Sequence, residues 1–267
     1  MKKIIIWTVT LAVALTLGAG ALATDGSLDA IREKGTLILG LDDSFPPMGY
    51  RDENNEIVGF DIDLAREVCA RLGVELALQP IEWSAKELEL SGGNIDCIWN
   101  GMSRTPGREE SMTLSMNYMN NVLALMVKDP AYQSKEDLAG KDVGLQAASS
   151  AEDVLTGEQY ADYIATLKEL RPYTDYTMAV LDLINDNLDA VAIDGTTASY
   201  FMTNGEYGDL FTIDNLADDW FCIGFRKEDV ALRDAVDQTL TDLAKDGVLA
   251  EISVKWFGSD VTLVPAE

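Results

Sequence analysis

The chain has 267 residues, 47% hydrophobic and 25% charged, with a net charge of −26 and no histidine. That composition fits a globular polypeptide of one or two domains. The acidic surface repels nucleic acid and anionic membrane faces, and the lack of histidine excludes Ser-His-Asp and Cys-His catalysis and the commonest zinc sites.

The chain opens on Met1-Lys-Lys, an apolar run over residues 4–17 and Ala21-Leu-Ala23. A basic start, a short apolar core and small residues before the cut describe an export leader removed after Ala23. Residues 4–23 carry no charge, so a retained membrane anchor is the competing reading. The short apolar core and Gly/Ala-rich end favour cleavage. Removal takes Lys2 and Lys3 and no acid, which moves the net charge from −26 to −28. No cysteine stands near the junction to carry a lipid. Cys69, Cys97 and Cys222 form no disulfide framework and read as small buried hydrophobes, with one bridged pair left open.

Thr36–Leu41 reads as a strand that runs into the turn-rich Asp42-Asp-Ser-Phe-Pro-Pro-Met48. Phe60–Leu72 is an amphipathic helix, with Leu64, Val68 and Leu72 on one face and Gly73 as its stop. Val74, Leu76 and Leu78 alternate as the next strand. Ser84-Ala-Lys-Glu87, after Trp83, has the pattern of a capping box opening a short helix. Residues 94–108 are the organising stretch. Ile95, Cys97, Ile98 and Trp99 form a buried strand, and residues 100–108 form a loop rich in small and polar groups that ends on Arg108. Alternating strands and helices imply a parallel sheet, and right-handed crossovers bring the segments after Leu41, Leu78 and Trp99 to one edge.

A second unit follows a strand at 121–128. It holds a strand at 142–147, a helix capped by Ser149 and Ser150, a helix at 177–187 with Val180, Leu181 and Ile184 on its apolar side, and a strand at 188–193 ending on Asp194-Gly195. The stretches from Asn94 and Asn187 echo each other and suggest two similar α/β lobes. A strand at 220–225 and helices at Val230–Lys245 and 249–256 close the chain.

Gly101 permits close backbone approach, Ser103 and Thr105 offer hydroxyls, and Arg108 offers the two parallel donors that a carboxylate accepts. Each has a bland reading: a solvated loop for Arg108, a helix cap for Ser149, Ser150 and Asp194, core packing for Phe45 and Trp83.

Gly59-Phe-Asp-Ile-Asp-Leu-Ala65, Trp83–Leu90, Ile95–Gly101, Thr105 with Arg108, Val143–Ser150, Asp194 and Phe225–Asp229 together resemble the family 3 extracellular solute-binding proteins, the polar amino-acid receptors of ABC importers. The resemblance covers nearly the whole chain after the leader. It implies the type II periplasmic-binding-protein fold, two α/β lobes joined by two hinge strands, with lobe 1 at 24–119 and 226–267 and lobe 2 at 120–225. It implies a monomer that needs no cofactor, metal or nucleic acid. The protein would bind a free L-amino acid between its lobes and deliver it to an ABC transporter permease.

Mapped onto this chain, Arg108 would hold the ligand carboxylate and Asp194 the α-ammonium. Phe45 and Trp83 would form the walls, Asn100, Gly101, Ser103, Ser149 and Ser150 would supply polar contacts, and Asp42, with Asp43 and Glu87 as alternatives, would meet the side chain. The family usually has glycine where Ala148 stands. The motif variants resemble those of members that take neutral polar amino acids such as glutamine or cystine. The alternative is an enzyme on the same fold, similar to cyclohexadienyl or arogenate dehydratases; no carboxylate pair in the sequence has a spacing that demands acid–base work.

Overall fold

Helix α1 (Ser27–Lys34) leads into β1 (Thr36–Leu41), whose Leu37, Leu39 and Leu41 are fully buried. The computed structural model describes residues 25–203 and 207–265, so the expected leader lies outside the described residues. The turn-rich segment after β1 folds into a small antiparallel ribbon of β2 (Ser44–Phe45), β3 (Gly49–Arg51) and β4 (Ile57–Val58). Helix α2 (Phe60–Leu72) follows Gly59, which sits at φ 146, where a Cβ would meet the Met48 carbonyl oxygen at 2.2 Å. That position therefore demands glycine. Gly73 ends α2 at φ 76, as its place after Leu72 predicts.

Strand β5 (Glu75–Pro80) precedes a 3₁₀ turn at Trp83–Ala85 and helix α3 (Lys86–Ser91). The expected capping box does not form. Ser84 already lies inside the turn, away from the extended backbone that a cap needs, and neither helix start carries a side-chain cap. Strand β6 (Cys97–Ser103) is buried along its whole length and runs past Trp99 through the segment expected as loop. After it comes α4 (Pro106–Ser111), with Pro106 in its first turn and the Thr105 hydroxyl accepting from Arg108 N at 3.4 Å. Arg108 thus stands on a short helix instead of a loop.

The chain continues through β7 (Thr113–Leu114), β8 (Met119–Val127), β9 (Asp142–Gln146), α5 (Ser150–Leu155), α6 (Ala161–Ile164) and β10 (Glu169–Tyr173). Helix α7 (Tyr176–Ile184) is capped by Asp175 and buries Tyr176, Ala179, Val180 and Leu183. Leu181, expected on that face, is 45% exposed, because the apolar stripe is set by Tyr176 and runs one position out of phase with the expected one. Then come β11 (Ala190–Asp194), α8 (Gly195–Thr203), β12 (Phe211–Phe225), α9 (Val230–Lys245) and α10 (Val248–Phe257).

The strands form one ladder in the order β10-β9-β11-β8-β12-β6-β1-β5. The β5-β1-β6 and β10-β9-β11 segments are parallel, as the two α/β units require. Between them β8 and β12 run antiparallel to each other and to their outer neighbours. The final strand is far longer than expected: its first part pairs with β8 and its last residues with β6. This is the two-lobe fold, with the lobe sheets fused through two shared strands. Helices α9 and α10 pack on α1 and α2, beside the β5-β1-β6 lobe. Cys69, Cys97 and Cys222 are buried free thiols, which closes the open question of a bridged pair.

Candidate functional site

Each parallel strand that reaches the junction of the lobes ends on a polar residue: Asp42 after β1, Ser103 on β6, Gln146 on β9, Asp194 on β11. Ligands bind at such carboxyl ends in open α/β sheets. Here the four ends meet in a narrow cleft. All ten residues expected from the sequence line it, and Gln146 joins them.

Arg108 forms the cationic wall. It is buried, with Nη1 donating to the Ser103 carbonyl at 2.7 Å and Nη2 to the Ala148 carbonyl at 3.4 Å. Its guanidinium carbon lies 5.9 Å from the centre of the Trp83 ring. Arginine carries five N–H donors, so these two bonds orient the fork and leave donors for an anion. Lys86, not among the residues expected to contact the ligand, stands beside it, 4.9 Å over the same ring. Its ammonium donates to the carbonyls of Ala148 at 2.9 Å and Trp83 at 3.3 Å. Burial, and then the like charge of Arg108, lower its pKa to about 8. Ala148 has φ 55, a left-handed backbone that glycine would adopt without strain.

Asp194 and Asp219 form the anionic wall. Asn121 donates to Asp194 Oδ1 at 2.6 Å and to Asp219 Oδ2 at 2.7 Å. Burial raises the pKa of both carboxyls, and Arg108 pulls in the opposite direction. The Tyr176 hydroxyl is buried beside Asp194 and Ser149 and has no hydrogen-bond partner among the described residues.

Further contacts cross between the lobes or brace one side of the cleft. Ser103 Oγ lies 2.8 Å from Ser150 Oγ. Gln146 Nε2 donates to Asp42 Oδ2 at 2.7 Å, while Asp42 Oδ1 accepts from Ser44 N at 2.9 Å. Asp42 N donates to the Asn100 amide oxygen at 3.1 Å. Burial raises the Asp42 pKa to about 6. The Phe45 and Tyr176 rings face each other at 5.8 Å across the gap. Ser149 serves as the N-cap of α5, accepting from Glu152 N at 3.3 Å, so its bland reading holds although it also lines the cleft. Gly101 sits at φ 56, where a Cβ would meet Phe45 Cε1 at 2.7 Å. Its N–H donates to Asp61 Oδ2 at 2.6 Å, and Tyr118 donates to the same oxygen at 2.9 Å. Asp61, the first acid of the Gly59-Phe-Asp motif, therefore holds the strand that carries Ser103.

The pattern described as bacterial extracellular solute-binding proteins, family 3, matches residues 37–259. The chain belongs to this family. Among its solute-binding relatives, the L-cystine-binding protein TcyJ of Escherichia coli is 28% identical over 94% of both chains. The arginine-binding extracellular protein ArtP of Bacillus subtilis is 29% identical over 96% of this chain and 98% of its own. A Streptococcus pneumoniae ABC uptake transporter substrate-binding protein, solved with bound histidine, superposes with a TM-score of 0.84 at 35% identity, covering 89% of this chain and 98% of that one. The protein is a solute-binding protein, and its named relatives are binding proteins of transporters and not enzymes, which supports this role over the dehydratase alternative. No helix among the described residues is long and apolar enough to cross a membrane.

Gln146 completes the cleft lining, and three groups behind its walls, Asn121, Asp219 and Lys86, hydrogen-bond or stack against the lining residues. Gln146 was legible in principle as the last residue of a parallel strand. The other three depend on strand register and helix phase.

The buried carboxyls dictate an unusual pH profile. Burial raises the pKa of Asp42 to about 6, Asp61 to about 7 and Asp237 to about 6, all from 3.8. A raised acid binds its proton more tightly folded than unfolded, so its stabilisation is complete below the unfolded value and is lost as pH rises through the folded one. Lys86 acts in the alkaline range and does not offset this loss. The ligand-free protein should therefore melt roughly 5 °C or more higher at pH 5.5 than at pH 8, as read by circular dichroism. An equal or higher melting point at pH 8 would show that these carboxyls ionise freely.

Proposed function

We propose that this protein is an extracytoplasmic receptor that binds one L-amino acid between its closing lobes and delivers it to the permease of an ABC importer. The observation that carries this reading is the pairing of a buried guanidinium, Arg108, with a buried carboxylate, Asp194, across one cleft. That is the complement of an α-amino acid: the fork takes the carboxylate, and the anion takes the ammonium. In a closed, water-poor cleft such charge-assisted bonds exceed surface ion pairs. Arg108 belongs to the first lobe and Asp194 to the second, so the ligand favours closure by binding the closed state better.

The side-chain end of the cleft favours a neutral polar ligand such as glutamine or cystine. Asp42 already accepts two hydrogen bonds and, with its pKa raised to about 6, is a poor dedicated counter-ion for a cationic side chain. Gln146 beside it offers an amide. The cystine-binding relative points the same way, and the arginine- and histidine-binding ones mark the competing choices. We place the moving bodies at 24–119 with 226–267 and at 120–225, and treat the receptor as a monomer released by cleavage after Ala23. Intact mass of exported material should show a chain that begins at Thr24; a chain that keeps residues 1–23 in the membrane contradicts this.

A thermal-shift screen of the twenty amino acids and cystine tests the reading. The true ligand at 100 times its Kd adds about 2.7 kcal/mol of stability. Arg108→Ala and Asp194→Ala should each weaken binding by about 100-fold or more, since truncating one partner of a buried charge pair costs about 2–5 kcal/mol. Arg108→Lys should recover only part of the loss, because a point charge cannot form the two-pronged contact. Titration calorimetry of the three variants, each checked for folding by far-UV melting, measures this. Parent-like affinity in Arg108→Ala would place the carboxylate elsewhere.

A further inference from the structure

Asn121 and Asp219 face each other directly on β8 and β12, the two strands that both lobes share. Asn121 spends its two amide protons on two carboxylates, Asp194 at 2.6 Å and Asp219 at 2.7 Å, and its own oxygen accepts from Thr196 N at 3.4 Å. The amide orientation is thereby fixed. The same Asp219 oxygen accepts the Ser103 hydroxyl at 2.7 Å. A hydroxyl has one proton. Since Ser103 gives its proton to Asp219, the Ser150 hydroxyl must be the donor in the 2.8 Å contact between lobes. One directed chain results, with Ser150 donating to Ser103, Ser103 to Asp219, and Asn121 to both Asp219 and Asp194. It begins in one lobe, passes through the other and the hinge, and returns.

We propose that Asp219 is a positioning residue of the amino-acid site: it orients Ser103 and Asn121, through them aims Ser150 and Asp194 at the ligand, and adds a second negative charge that the ligand's ammonium offsets. This role rests on the amino-acid reading of the cleft.

The surrounding charges set how many protons the pair holds. Arg108 on α4 is the cation that acts on both carboxylates, and Tyr176 on α7 adds a neutral hydroxyl beside Asp194. Two neighbouring buried carboxylates near one guanidinium do not both stay ionised in an empty cleft. The pair keeps a proton as a unit. An arriving ammonium supplies the missing positive charge and displaces that proton to solvent. Binding therefore releases a proton, and affinity rises with pH while the pair titrates.

The test is titration calorimetry of the full-length mature chain with the amino acid found by the thermal-shift screen. It is run at pH 5.5, 6.5 and 7.5 in two buffers of different ionisation enthalpy, for the parent, Asp219→Asn and Asp219→Glu. The parent should release a proton on binding and bind about 10-fold or more tighter at pH 7.5 than at pH 5.5. Asp219→Asn keeps the shape but loses the charge. It should bind roughly 10-fold or more weaker at pH 7.5, and its affinity should fall off at a lower pH, because Asp194 no longer faces a like charge. Asp219→Glu should keep the proton release. A purely structural role would leave the pH midpoint unmoved. Asp219→Asn with the parent's affinity and midpoint overturns the assignment. If that variant does not fold, the parent decides alone: binding without proton release at any of the three pH values overturns it. A parent that binds no amino acid contradicts the receptor reading and this assignment with it.

Discussion

Two strands, β8 and β12, have to serve both lobes at once, and the shape of the binding junction is a consequence of that constraint. Each parallel three-stranded segment is left with an edge, β6 in one lobe and β11 in the other. An unpaired edge exposes backbone donors and acceptors. The antiparallel pair of β8 and β12 covers both edges, with β12 reaching β6 and β8 reaching β11. This brings the carboxyl ends of strands from both lobes to one junction. Ser103 and Asp194 are therefore linked in series through Asp219 and Asn121 although they come from different lobes.

The junction is also where the chain concentrates unfavourable charge. Asp42, Asp194 and Asp219 are buried there with two cations, Arg108 and Lys86, whose hydrogen bonds go to carbonyl oxygens. Burial opposes ionisation of each carboxyl, and the chain's net charge of −26 adds to the strain. Such a site is costly when empty. In the proposed reading a ligand ammonium would answer the excess anion, and its carboxylate would meet a guanidinium already held in place by two carbonyls and an indole ring. Asp194 and Asp219, whose raised pKa values also lower the stability of the empty protein as pH rises, would in the proposed reading form the ammonium site. Stability given up at a binding site in this way is common where function needs a polar, preformed cavity.

Much of this was legible from residue order. The leucines of β1, the spacing of α2 and its glycine stop, and the full extent of α9 could be read directly, because local periodicity and capping determine them. The ten cleft residues were legible through a combination of motifs, each weak alone. Other features depend on distant partners. The early residues of β12 carry no strong strand pattern and become strand by pairing with β8. Ser84 has a capping sequence, yet the chain is already turning when it reaches that residue. Leu181 misled because Tyr176, buried under Phe45 of the other lobe, sets the phase of α7. Asp219 stands in the acidic run Asp218-Asp219, indistinguishable by type from a surface residue, until register places it opposite Asn121.

The central claim is that an amino acid holds two lobes together through groups contributed by each. Small-angle X-ray scattering of the mature chain, with and without saturating ligand, tests it most directly. The account predicts a smaller radius of gyration with ligand and a profile that matches the closed arrangement described here, in which Ser103 meets Ser150 and Asp42 meets Gln146. Saturating, stoichiometric binding that leaves the scattering profile unchanged would contradict it.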